Sequence, residues 1–234
     1  MIDYVRGGMH MAMEEVFVIT SDIVHSKDIP DLKEGIESRI AKVNAMHAGS
    51  LKTPFTSLRG DEIQAIVPRK HYAELFRILR NLRRFMQDYT LRIGVGYGMV
   101  DQLPKDTEET SWNYNGPPFY RAREAVETLE ERKKSSVHLR TCFKMFDQAI
   151  FNDILNTTYF FVEKTTEKWK PEMWTIVDYL EAGHTHEKIA SILNEKTGAQ
   201  KTRTGYTMKI NRSGWYWVHE TEENFIRLIK EMLI

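Results

Sequence analysis

Residues 91–100 alternate without a break: Leu91, Ile93, Val95, Tyr97 and Met99 are separated by Arg92, Gly94, Gly96, Gly98 and Val100. A period of two over this length predicts a β-strand and excludes an amphipathic helix, whose apolar positions recur every three to four residues. The three glycines fall on one face of that strand. Such a face admits a ligand or another backbone at close range, and it equally accommodates a packed helix. A strand of this kind needs partner strands and a covering layer, so the rest of the chain must supply both.

The flanking residues do so in a recognisable order. Val16 to Thr20 is a short apolar run ending at Ser21-Asp22, read as a strand. Pro30 stands at a plausible first helical position, followed by Leu32, Ile36, Ile40 and Val43 on one helical stripe. Phe55 to Leu58 and Ile63 to Val67 are two strands around the tight turn Arg59-Gly60-Asp61-Glu62. Leu75, Ile78, Leu79, Leu82 and Phe85 predict a second helix before the 91–100 strand. The resulting βαββαβ order is the split arrangement of ferredoxin-like folds, an α/β (α+β) class. After a polar loop from Asp101 to Asn115, Pro117 opens a third helix with Phe119, Ala122, Val126 and Leu129, and Val137 to Leu139 suggests a further strand.

From Cys142 the pattern turns helical and aromatic. Phe143, Phe146, Ile150 and Ile154 predict one long helix, and Pro171 opens another that stops at Gly183. Thr185 caps a short helix, a turn follows at Lys196 to Gln200, and an amphipathic segment runs through Tyr206, Met208 and Ile210. Short helix, turn, helix is the outline of a helix-turn-helix module, with room for a short wing at Ser213-Gly214 before the run Trp215, Tyr216, Trp217. The expected organisation is therefore an extension at 1–12, an α/β domain at 13–141, a linking helix at 142–170 and an all-α domain at 171–234.

Composition limits what these domains do. Lys plus Arg and Asp plus Glu number 33 each, so the formal net charge is zero and a uniformly basic nucleic-acid binder is excluded. One cysteine, Cys142, forms no internal disulfide, which suits a reducing cytoplasm. No apolar run approaches the ~20 residues needed to cross a bilayer, and the first residues lack the pattern of a signal peptide. Residues 1–12 read as an extension upstream of a chain that begins functionally near Met13. The expected setting is the cytoplasm, without a membrane.

Asp22 follows the first strand and Asp61 sits in the hairpin between the second and third. In a βαββαβ sheet these positions are neighbours, so both carboxylates fall at one edge. Such a pair suits Mg²⁺, which takes one or two protein carboxylates and completes its shell with water and phosphate oxygens. The bland alternative is that Asp22 begins a turn and Asp61 is a hairpin residue.

Ile19-Thr20-Ser21-Asp22-Ile23-Val24 resembles the first metal-binding strand of class III nucleotidyl cyclases. Arg59-Gly60-Asp61-Glu62-Ile63 resembles both the cyclase hairpin and the GGDEF signature. Leu91 to Gly98 is similar to the next cyclase strand, and Gly116-Pro117-Pro118-Phe119-Tyr120-Arg121-Ala122-Arg123-Glu124 to the helix after it. The resemblance to this polymerase-palm-like superfamily implies Asp22 and Asp61 as metal ligands for Mg²⁺ with ATP or GTP. It implies nucleotide contacts from Ile23, Ser26, Gly60, Glu62, Arg92 and Gly96. The cyclase Asn and Arg that stabilise the transition state fall on Tyr120 and Glu124, with Arg123 displaced by one, and the purine-selecting Lys falls near Ser57. An acid where developing negative charge needs a cation works against turnover. No catalytic residue is therefore assigned, and metal or nucleotide binding is expected to outlast cyclase activity.

Residues 196–212 contain Lys196, Lys201, Arg203, Lys209 and Arg212 and no acid, a local electrostatic footprint in a neutral chain. Lys201, Thr202, Arg203, Thr204, Lys209 and Arg212 are the candidate DNA contacts, since such side chains reach phosphates and base edges from a recognition helix. The alternative is a helical dimerisation subdomain with solvated charges. A cyclase-like domain followed by a helix-turn-helix tail most resembles the SatD-like family, over roughly residues 14–234. That resemblance implies an architecture and a regulatory role. The expectation is a transcriptional regulator that binds DNA, whose cyclase-like domain senses a nucleotide or dimerises. A homodimer is expected because cyclase-like domains pair and helix-turn-helix proteins read two half-sites. The rival expectation is an active Mg²⁺-dependent nucleotidyl cyclase or nucleotidyltransferase.

Overall fold

The computed structural model describes residues 13–58, 60–101, 110–131, 139–198 and 200–233. The chain divides into two compact units, Met1–Asn156 and Thr157–Ile234. The first contains β1 (Glu14–Ile23), α1 (Leu32–His47), β2 (Thr53–Leu58), β3 (Glu62–Pro68), α2 (Leu75–Phe85), β4 (Leu91–Val100), α3 (Pro117–Glu131), β5 (Thr141–Lys144) and the start of α4 (Ala149–Thr166). The expected order of strands and helices up to β4 is found. The strands form one five-stranded sheet, β2-β3-β1-β4-β5. Its first four members are antiparallel, and β5 runs parallel to β4.

Alternation along β1 and β4 sorts the two faces. Val16, Val18 and Thr20 lie opposite Gly98, Gly96 and Gly94, and on this face Val16, Val18 and Ile66 cluster with Phe119 and Ala122 of α3. A Cβ at Gly94 would stand 2.0 Å from the Ala122 carbonyl oxygen, and one at Gly96 would stand 2.1 Å from that of Pro118. The glycine face therefore exists for α3, which lies closer to the sheet than any side chain would allow. This corrects the nucleotide-contact expectation for Gly96: helix backbone covers it.

The opposite face carries Phe17, Ile19, Ile63, Val67, Ile93 and Val95, all with no exposed surface. Each contributes roughly 1.5–3 kcal/mol by leaving water. Phe143, the β5 neighbour of Val95, meets the Phe76 ring of α2 at 5.9 Å, so α2 covers this side. α1 packs on α2, where the His47 ring nitrogen Nε2 and Asn81 Nδ2 are 3.0 Å apart. α1 begins at Leu32 rather than Pro30, because Asp31 takes a left-handed conformation (φ 51°) and Pro30 lies in the preceding turn.

The predicted helix from Phe143 is corrected in the same way. Cys142 and Phe143 belong to β5, and the helix starts at Ala149. Cys142 packs with Ala125 and Leu129 while Phe143 faces α2, so a strand this short is apolar on both faces and shows no period. Asn156 donates to the Phe143 carbonyl (3.2 Å) and accepts from its N–H (2.7 Å), which occupies the outer edge of β5. Of the strand expected at 137–139, residues 137 and 138 lie outside the described residues and Leu139 is in no strand.

The second unit holds the rest of α4, then α5 (Pro171–Glu181), α6 (His186–Thr197), α7 (Arg203–Ser213) and α8 (Trp215–Met232). Thr185 caps α6 by accepting from the Lys188 N–H, and Thr202 caps α7 by accepting from that of Gly205. Ile176, Val177, Ile189, Leu193, Tyr206, Ile210 and Val218 are buried among these helices. Asn194 ties the α6–α7 turn, donating to the Lys201 carbonyl at 2.7 Å and accepting from its N–H at 3.2 Å. The expected wing is replaced by a sharp corner: Gly214, at φ 76°, reverses the chain, and Trp215-Tyr216-Trp217 opens α8. Among the described residues the second unit has no strand, and none of the described helices is long and apolar enough to cross a membrane.

Candidate functional site

The antiparallel register of β1 and β4 sets Asp22 directly opposite Arg92. The Arg92 guanidinium donates through Nε and Nη2 to both Asp22 oxygens, at 2.9 and 2.6 Å, and its Nη1 lies 3.1 Å from Glu130 at the end of α3. The pair is shielded, with 23% of the Asp22 side chain and 11% of the Arg92 side chain exposed. Burial is the largest influence on Asp22 and pushes its carboxyl above the usual range. Arg92 opposes this by charge and hydrogen bond, while Glu130 and Asp61 add to it.

Asp61 accepts from the Ser26 hydroxyl at 2.7 Å, and Glu62 lies 3.8 Å from Arg123. The fold thus gathers Asp22, Ser26, Gly60, Asp61, Glu62 and Arg92 at one end of the sheet. Ile23 contributes differently: its side chain is buried, and its backbone pairs with Leu91. Glu124 bonds Lys144, and Tyr120 is exposed.

As arranged, this donor set does not fit Mg²⁺. A divalent ion between Asp22 and Asp61 would stand against the Arg92 guanidinium or displace it from both Asp22 oxygens. Among the described residues no group of three or more His, Cys, Asp or Glu side chains is placed to hold a metal. Sequence reasoning missed the Asp22–Arg92–Glu130 chain of charges. Its signal was available, because centring two antiparallel strands on Thr20 and Gly94 puts Asp22 against Arg92.

The basic segment of the second unit is also rearranged in space. Lys201 donates to Glu172 Oε1 at 2.7 Å, and Lys209 bonds the other Glu172 oxygen. These bonds, from Lys201 first, hold the Glu172 carboxyl below its usual range. The stretch that is acid-free in sequence receives an acid from α5. Thr202 spends its hydroxyl oxygen on the α7 cap. That leaves Arg203, Thr204, Asn211 and Arg212 exposed on α7, and among the described residues neither arginine side chain has an ion pair or hydrogen bond.

The model of the SatD family matches residues 16–211. No curated protein matches the chain. Among solved structures, one bacterial light-regulated adenylyl cyclase aligns at 14% identity and a TM-score of 0.41, covering 56% of this chain and 76% of that one. A second such cyclase aligns at 13% identity and a TM-score of 0.42, covering 56% of this chain and 43% of its own. Likeness at this level carries nothing about activity. The family match, by contrast, runs from β1 into α7 and spans both units, so this chain belongs to the SatD family.

Proposed function

We propose that the protein is a DNA-binding regulator that reads duplex DNA through α7, with the first unit serving as a nucleotide-sensing or dimerising body without cyclase turnover. The carrying observation is the outward face of α7, which presents Arg203, Thr204, Asn211 and Arg212, while among the described residues neither arginine side chain has an ion pair or hydrogen bond. The arginines stand nine positions apart, about 13 Å along a helix, long enough to reach phosphates on either side of a major groove about 12 Å wide. Thr204 and Asn211 then face the groove floor as hydrogen-bonding groups. The α6–α7 turn tied by Asn194 and the buried Tyr206 and Ile210 hold this face rigid.

Against an Mg²⁺-dependent cyclase stand the commitment of both Asp22 oxygens to Arg92 and the acid Glu124 where the cyclase resemblance calls for an arginine. A cyclic nucleotide formed from ATP or GTP with Mg²⁺, and lost on Asp61→Ala, would overturn that part. The DNA-binding part is tested by fluorescence anisotropy on a duplex from the region upstream of the protein's own coding sequence. Binding that falls steeply with salt and weakens in Arg203→Ala/Arg212→Ala supports it. Absence of binding, or equal affinity in the double variant, refutes it.

A further inference from the structure

The second unit contains a cavity of about 750 Å³ walled by the end of α4, the α4–α5 turn, the start of α5 and one side of α7. This volume lies in the range of small-molecule sites. Its chemistry is divided. Trp169, Met173 and Met208 supply apolar surface, while Lys168, Lys170 and Arg212 stand exposed at the lining and, among the described residues, pair with no acid. Among the described residues no carboxylate lines the cavity. An apolar wall beside unpaired cations is complementary to a molecule with an aromatic or aliphatic body and a carboxylate.

Gly205 gives an independent indication. It lines the cavity from the first turn of α7, a position where glycine is a poorer helix former than alanine. Packing does not require it: a Cβ there meets only Thr202 Oγ1, at the ordinary distance of 3.6 Å. Its effect is to leave the space beside Met208 and Lys209 open. Gly214, also in the lining, differs, since a Cβ there would come within 2.7 Å of Thr165.

We propose that this cavity is an effector site for a small amphipathic carboxylate, and that its occupation weakens duplex binding because Arg212 and Met208 belong to both the cavity and α7. The regulatory half rests on the DNA-binding reading; the ligand site does not. Naphthoate is a suitable probe, with naphthylmethanol as its uncharged counterpart, each titrated into the full-length protein while the Trp169 indole and the Gly205 and Gly214 amide resonances are followed by NMR.

The carboxylate is expected to shift these signals and to bind about tenfold or more tightly than the alcohol, the worth of one charge-assisted contact. Lys168→Gln/Lys170→Gln, at two exposed positions, should lose about the same factor. Gly205→Leu places a branched side chain in the cavity beside Met208, with a better helix former, and should weaken binding while the protein remains folded. No shift at these resonances, equal affinity for acid and alcohol, or unchanged affinity in Gly205→Leu would each overturn the site. In a second arm, saturating naphthoate should lower duplex affinity in the wild type, and unchanged duplex affinity overturns the regulatory half. Absence of duplex binding beside intact naphthoate binding would mark failure of the DNA-binding reading and overturn the regulatory half, with the ligand site standing.

Discussion

Replacing Arg92 by glutamine isolates the charge chain at the end of the sheet. In the wild type, Asp22 accepts two charge-assisted hydrogen bonds from Arg92, with Glu130 beyond. Without the guanidinium, a carboxylate that is only 23% exposed faces Asp61 and Glu130, both repulsive. Removing one partner of a buried ion pair costs about 3–5 kcal/mol; the water that reaches Asp22 favours the lower end, about 3 kcal/mol at neutral pH. The loss must depend on pH. Burial already holds the folded Asp22 carboxyl above its unfolded value, and loss of Arg92 raises it further. A carboxyl with a raised folded pKa destabilises the fold above that pKa and ceases to do so once it is protonated in both states. The deficit of Arg92→Gln should therefore shrink as pH falls from neutral toward about 4, and Asp22→Asn placed on top should recover part of it. Native-state hydrogen exchange of β1 and β4 amides reads the first unit separately. A deficit below about 0.5 kcal/mol, the ordinary range for surface changes, or one that grows on acidification, would refute the clamp.

Other consequences follow from particular contacts. Gly96→Ala puts a methyl 2.1 Å from a backbone carbonyl of α3, whereas the corresponding contact at Gly98 is 3.3 Å to a proline side chain. The first should cost about 3 kcal/mol and the second under about 1 kcal/mol by urea unfolding, and equal costs would contradict the packing of α3. Burial, with Arg77 and Arg80 adding to it, lowers the His47 pKa to about 4. Its neutral form then stabilises the fold above pH ~6.5, and about 3 kcal/mol is lost as pH falls to ~4; an NMR midpoint near 6.5 would contradict this. Glu172→Gln releases Lys201 and Lys209 toward solvent, so duplex affinity should rise and its salt dependence steepen. Weaker binding would show that Glu172 positions these lysines for contact rather than withholding them.

How legible the molecule is in its sequence varies with the range of the interactions. β4, α2 and α3 announce themselves by period, because each has one apolar face, and β1 to β4 follow in order. β5 is hidden because its residues are apolar on both sides and merge with the aromatic spacing of α4. Trp215 to Trp217 looks unlike a helix start, yet Gly214 reverses the chain and the buried Trp215 anchors α8. At the sheet end, Asp22 and Asp61 are placed together as expected, but the partner that decides their chemistry is Arg92, seventy positions from Asp22. The glycine face had two readings, and only the distance to α3 separates them. In the second unit, the acid that neutralises two lysines comes from α5, outside the segment whose charge drew attention.

The central claim is that the unpaired arginines of α7 contact DNA phosphates. The direct measurement is the slope of log affinity against log salt concentration for duplex binding, compared between the wild type and Arg203→Ala/Arg212→Ala. Each phosphate contact contributes about 0.9 to that slope. The double variant should therefore bind more weakly with a slope smaller in magnitude by about 2, while a slope and affinity equal to the wild type would contradict the claim.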